Sequence, residues 1–139
     1  MGTRLLALYL VLTALAVAVY FIAVSWQYPG VDQPYPVEAY PAWEVLHWFM
    51  AAAILVALAG TFARKLRLGA GDGVREHLAV NALFYALLGV GLIFFRIWPS
   101  LLRGGEYDLF VWGSINMVMP VVLAAAGVRM WRAGGAEEG

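Results

Sequence analysis

The chain has 139 residues, of which 63% are hydrophobic and only 13% are charged, and its formal net charge at pH 7 is +0. Soluble domains carry about 45–50% apolar and about 25% charged residues, so this composition excludes an ordinary soluble enzyme, a nucleic-acid-binding protein and a disordered tail. The chain contains no cysteine, which excludes disulfides and thiolate metal sites. The composition therefore predicts an integral membrane protein.

Four apolar stretches are each long enough to cross a hydrocarbon layer as a helix, which takes about 20 residues. They cover residues 5–24, 43–63, 77–97 and 109–128. Helix is the expected structure because a backbone in lipid must satisfy its own hydrogen bonds, and the alternating pattern of barrel strands is absent. We therefore expect residues 1–139 to form one all-α domain, a four-helix transmembrane bundle with up-down topology.

The basic residues predict the orientation of these spans. Seven of them precede span one, lie between spans two and three, or follow span four: Arg4, Arg64, Lys65, Arg67, Arg75, Arg129 and Arg132. Only Arg96 and Arg103 lie near the third loop. Because cytoplasmic loops are enriched in Lys and Arg, we expect both termini to be cytoplasmic. The preference for Arg over Lys and the abundance of Ala and Gly indicate a GC-rich bacterial source, and hence the inner membrane.

Residues 25–42 form the predicted outer loop between spans one and two. Within it, the stretch 27–41 holds four prolines and three tyrosines, which favours a semi-extended, preordered backbone. The loop is either a stiff connector on the outer face or a docking surface for another subunit or an extracytoplasmic domain. Tyrosine on a preordered backbone suits the second role because it buries area at low entropic cost.

Span two carries a candidate metal site at its outer end. Glu44 and His47 are three residues apart, which places both side chains on one helix face. Asp108 begins span four at the same depth, and carboxylate and imidazole are metal-ligand types. The alternative is an interfacial Glu and His that bond to a neighbour or to headgroup water.

Span three carries Arg96 near its outer end. Glu44 and Asp108 lie at a matching depth, so we expect Arg96 to form a structural ion pair with one of them; the alternative is that it binds an anionic headgroup or substrate. The second histidine, His77, lies at the opposite end of this span. It is about 25 Å from His47 along the membrane normal, so the two cannot ligate one haem between them. A haem with one ligand from a partner stays open, but nothing in the sequence points to it, and we expect no cofactor.

Span four contains Asn116 near the midplane and Pro120 one turn later. Pro120 cannot donate to the carbonyl of residue 116, which predicts a kink. A polar side chain at this depth either bonds across to another helix or lines a transport site. Residues 133–139 form a predicted acidic tail.

Three functions are compatible with this pattern. The favoured one is a non-catalytic membrane subunit that stabilises or assembles a larger complex, such as a respiratory or oxidase-type enzyme, among lipids and other integral membrane subunits. The second is a small oligomeric transporter, although no titratable residue lies deep in a span to couple protons. The third is an outer-leaflet metal site or membrane enzyme that uses Glu44, His47 and Asp108.

Overall fold

The computed structural model describes residues 2–27, 40–103 and 108–136, and this part of the chain is helical apart from its turns. The four helices are α1 (Gly2–Gln27), α2 (Tyr40–Arg67), α3 (Val74–Leu101) and α4 (Leu109–Ala136). Each is long and apolar enough to span a membrane, which confirms the four predicted helices. All four extend beyond the predicted spans, because a helix continues into the polar flanks where its backbone bonds remain satisfied.

Most of the predicted outer loop and the last three residues of the predicted tail lie outside the described residues. Of the outer loop 25–42, residues 25–27 belong to α1 and residues 40–42 belong to α2. The predicted tail 133–139 differs from expectation at its start, because residues 133–136 continue α4. Gly134 in this last part of α4 is buried against α1, where a β-carbon on it would lie 3.4 Å from Cγ of Arg4.

Helix α1 packs most extensively against α4 and also contacts α2, while α3 packs against α2 and α4. The buried side of α1 follows helical spacing through Ala7, Leu10, Ala14 and Val17. Tyr9 on this helix donates a hydrogen bond of 2.7 Å from its hydroxyl to the carbonyl oxygen of Phe49 in α2. The core between the helices is filled mainly by large apolar side chains, among them Leu10, Met50, Ile54, Leu87, Phe94, Met119 and Leu123.

The two ends of the helix assembly differ in chemistry. The basic end is formed where the first residues of α1 and α3 meet the last residues of α2 and α4, and there Arg129 contacts Glu76. The aromatic end is formed by the opposite helix termini and carries Trp43, Trp48, Trp98 and Trp112. Basic residues in the last turn of α2 and Glu76 in the first turn of α3 both complement the helix dipoles.

Two prolines lie inside helices. Pro120 is buried within α4, and the helix continues across it to Ala136. Pro99 lies in the last turn of α3, where its carbonyl oxygen accepts a 3.1 Å hydrogen bond from Nε of Arg103. Because proline has no N–H, Pro99 cannot donate the intrahelical hydrogen bond to the carbonyl of Phe95.

Candidate functional site

The three residues proposed as metal ligands do not converge on one point. His47 is buried with 7% exposure, whereas Glu44 and Asp108 are exposed. Among the described residues, no group of three or more His, Cys, Asp or Glu side chains could hold a metal ion. The reason lies in the register of α2, because Trp43 occupies the core-facing position one turn before His47 and leaves Glu44 on the outer side.

Asp108 has a different role, which is to cap α4. Its Oδ1 accepts hydrogen bonds from the backbone N–H groups of Phe110 at 2.8 Å and Val111 at 3.0 Å. These N–H groups have no partner within the helix, so the carboxylate satisfies donors that would otherwise depend on water. The sequence signal for this cap is an Asp immediately before an apolar helical stretch.

Arg96 does not form the expected ion pair. Its side chain is exposed, and within residues 2–27, 40–103 and 108–136 the ion pairs all lie at the basic end. The core face of α3 passes through Phe94 and Trp98, each two residues from Arg96. Two helical residues correspond to about 200°, so Arg96 faces away from the core.

His47 instead belongs to an aromatic cluster, defined here as Trp43, His47, Phe94, Trp98 and Trp112. Its imidazole stacks on Trp43 at 5.7 Å between ring centroids and meets Trp112 edge-on at 5.0 Å. Phe94 lies at the centre of the cluster, 5.5 Å from Trp98 and 5.7 Å from Trp112. The cluster thereby joins α2, α3 and α4 near the aromatic end.

Three buried polar atoms in or beside this cluster have no hydrogen-bond partner among the described residues: Nε2 of His47, Nε1 of Trp98 and Oδ1 of Asn116. Asn116 is 3% exposed, so the structure places it in the core but does not bond its side chain across to another helix. An unsatisfied buried polar group costs free energy, and each of these atoms can bond a water or a ligand atom. Among the described residues, His47 forms no ion pair with a carboxylate.

A network of charged side chains joins three helices at the basic end, and sequence reasoning did not find it. Arg64 in α2 pairs with Asp72 at 3.1 Å and with Glu76 of α3 at 3.4 Å. Arg129 of α4 approaches the same Glu76 oxygen at 2.6 Å. The turn between α2 and α3 brings Arg64 to its two acids and is visible in the sequence. The partnership with Arg129, 53 positions along the chain, depends on helix packing.

Asp72 organises that turn. Its Oδ2 accepts a 2.9 Å hydrogen bond from the backbone N–H of Gly69. This hydrogen bond, helped by the nearby Arg64 guanidinium, lowers the pKa of the Asp72 carboxyl below its ordinary value.

An apolar groove of about 700 Å³ lies on the outer surface between α1 and α2. Its small side chains are Ala16, Ala23 and Ala42, and its other walls are formed by Leu15, Val19, Tyr20, Val45 and Leu46. All three alanines are exposed, so the backbone of both helices is accessible to a close neighbour along this groove.

Comparison with protein-family models, with curated proteins and with solved structures finds no match for this chain.

Proposed function

We propose that this protein is a small, non-catalytic subunit of a larger complex in a bacterial inner membrane. It forms an up-down four-helix bundle with both termini in the cytoplasm. A transmembrane helix of a larger partner subunit occupies the groove between α1 and α2, and the outer loop 25–42 adds a second contact outside the membrane. The observation that carries this proposal is the groove itself.

The groove suits a helix because of its residue types. In lipid, apolar burial alone does not drive helices together, so association depends on close packing between small residues. Ala16 and Ala23 are seven positions apart and therefore lie on one face of α1, and Ala42 faces the same groove from α2. Leu15, Val19 and Val45 provide ridges beside these alanines against which a partner helix can interdigitate.

The packing of the core supports a structural role over a catalytic or transporting one. His47 is enclosed by aromatic rings, and Glu44 and Asp108, the two acids predicted to bind a metal with it, are exposed. Asn116 does not line the groove. These observations favour a rigid scaffold whose polar core atoms serve packing and specificity.

Site-specific cross-linking tests the groove. A photoactivatable amino acid replaces Val19 in the groove, and a matched variant carries it at Leu92 of α3; the native side chains are 64% and 66% exposed. We expect Val19 to yield a defined adduct with a transmembrane segment of another protein, and Leu92 not to yield it. A bulky Ala23→Trp substitution in the groove should abolish the adduct. Adducts with lipid only, or equal adducts from both positions, would contradict the proposal.

The orientation is tested by cysteine labelling, for which the cysteine-free chain is suited. Ala70→Cys lies in the turn between α2 and α3, and Leu102→Cys follows α3 at the opposite end; both positions are exposed. In intact cells, a membrane-impermeant maleimide should label Leu102→Cys and leave Ala70→Cys unlabelled until the membrane is opened. The reverse pattern would invert the proposed topology.

A further inference from the structure

A cavity of about 750 Å³ opens at the basic end, between the start of α1, the end of α2, the start of α3 and the end of α4. Four arginines are among the residues that line it: Arg64, Arg67, Arg129 and Arg132. Arginine presents planar pairs of N–H donors that match the oxygens of a phosphate group. The cavity therefore concentrates, in one place, the side-chain type best suited to bind phosphate.

The charge in this cavity is unbalanced. Glu76 is the only carboxylate among the described lining residues, and Asp72 pairs with Arg64 beside the cavity, so four arginines face two acids and a formal excess of two positive charges remains. Glu76 is already shared by Arg64 and Arg129. Arg67 and Arg132 form no ion pair with any described residue, so their charges are available to an external anion. An anion between them would relieve the repulsion among four like charges.

The inner wall of the cavity is apolar. Val80, Leu83 and Met130 line it on the side of the helix core, and Thr61 adds a buried hydroxyl-bearing side chain. The cavity thus combines a cationic mouth at the helix termini with an apolar wall that continues along the helices. This division of polarity is that of a phospholipid, which carries its phosphate at the membrane surface and its acyl chains beside the hydrocarbon core.

We propose that this cavity is a binding site for the phosphate group of an anionic membrane phospholipid. Arg67 and Arg132 contact the phosphate oxygens directly. Arg64 and Arg129, held in place by Glu76, add positive potential at the sides. The upper part of one acyl chain lies against Val80, Leu83 and Met130. The site stands on its own residues and does not depend on the partner proposed for the groove between α1 and α2.

The first experiment compares two double variants with the same change in charge. Arg67→Gln/Arg132→Gln removes the two unpaired arginines of the cavity, and Arg96→Gln/Arg103→Gln removes two arginines near the other end. Each protein is mixed in detergent with phosphatidylglycerol or phosphatidylcholine, and bound lipid is counted by native mass spectrometry. We expect the cavity variant to bind phosphatidylglycerol about tenfold more weakly than the wild type, and the control to bind as the wild type does.

The second experiment uses the unaltered protein, so it holds even if a variant fails to fold. Phosphatidylglycerol should raise the thermal unfolding temperature more than phosphatidylcholine, and added salt should reduce the difference. Inorganic phosphate serves as the competing probe. If inorganic phosphate alone raises the unfolding temperature as far as phosphatidylglycerol does, and the lipid adds nothing further, the site binds free phosphate and the lipid proposal is overturned. Equal effects of the two lipids, or equal phosphatidylglycerol binding by the two double variants, would also overturn it.

Discussion

A β-carbon on Gly127 of α4 would lie 2.9 Å from the carbonyl oxygen of Ala7 in α1. It would also lie 2.8 Å from a methyl carbon of Val11, so the two helices approach each other closely over this turn. Because glycine has no side chain, the backbones of α1 and α4 can come close at this position. The two helices also make the most extensive helix contact in the described part of the chain.

Gly127→Ala is therefore expected to destabilise the protein. Because a backbone oxygen cannot move aside without shifting α1, the added methyl group should cost about 2 kcal/mol of unfolding free energy. The measurement is unfolding in mild detergent, followed by circular dichroism.

Gly113→Ala in the same helix is the matched control for Gly127→Ala. A β-carbon at Gly113 would meet nothing within 4 Å. The substitution should leave stability unchanged or raise it by up to about 1 kcal/mol through helix propensity. Equal losses in the two variants would show that α1 and α4 are not in close contact at Gly127.

A second prediction concerns His47. His47→Phe keeps an aromatic ring among Trp43, Phe94 and Trp112 and removes the ring nitrogen that has no described partner. We expect the unfolding free energy of this variant to stay within about 1 kcal/mol of the wild type. His47→Ala leaves a cavity and should lose about 3 kcal/mol.

The metal content of the purified His47→Phe protein distinguishes this packing role from ligation. If His47 serves packing, the variant and the wild type should contain the same trace of metal. A stoichiometric metal that is present in the wild type and lost in the variant would restore the metal hypothesis for Glu44, His47 and Asp108.

A third prediction separates helix capping from metal binding at Asp108. Asp108→Ala removes the acceptor for the N–H groups of Phe110 and Val111 and should cost about 1 kcal/mol. Asp108→Asn keeps a side-chain oxygen in the same place and should retain most of the stability. Thermal unfolding of the two variants gives the comparison, and a loss in Asp108→Asn as large as in Asp108→Ala would argue for a role that needs the negative charge.

A fourth prediction is the pH dependence of the turn between α2 and α3. The pKa of Asp72 is lower in the folded protein, chiefly because its carboxylate accepts the hydrogen bond from Gly69, with Arg64 nearby. The contribution of the Asp72 carboxylate to the free energy of unfolding is therefore complete above the unfolded-state pKa. It is lost as the pH falls through the lower folded-state pKa. A carboxyl titration by NMR should find Asp72 below the ordinary aspartate value.

Arg64→Gln tests the cause of this shift. The variant removes the positive charge of Arg64, which is the smaller of the two causes that lower the pKa of Asp72, and keeps the hydrogen bond from Gly69. The pKa of Asp72 should therefore rise only part of the way to its ordinary value. An unshifted Asp72 in the unaltered protein would mean that the hydrogen bond to Gly69 is not maintained in solution.

The helices themselves could be predicted from the sequence. Runs of about 20 apolar residues satisfy the length of a membrane crossing, and a backbone in lipid has no alternative that pairs its polar groups. The unequal placement of Arg and Trp at the two helix ends is also a property of residue order alone. These features are local, so they do not depend on which helices become neighbours.

The faces of the helices and the partners of their polar groups depended on tertiary structure. The sequence placed Glu44, His47, Arg96 and Asp108 at a similar depth, but depth does not specify rotation about a helix axis. In the folded protein the packing of α2 against α3 and α4 turns Trp43 and His47 inward, while Glu44 and Arg96 remain exposed.

The contacts at the basic end also depended on how the helices pack. The acids of the turn lie close in sequence to Arg64, but only the packing of α4 against α3 brings Arg129 to Glu76 and encloses the cavity with four arginines. Long-range contacts of this kind arise from the complementarity of whole helix surfaces, such as the close approach of Gly127 to Ala7. Sequence order therefore determined the lengths of the helices and the chemistry of their ends, and packing decided which side chains meet.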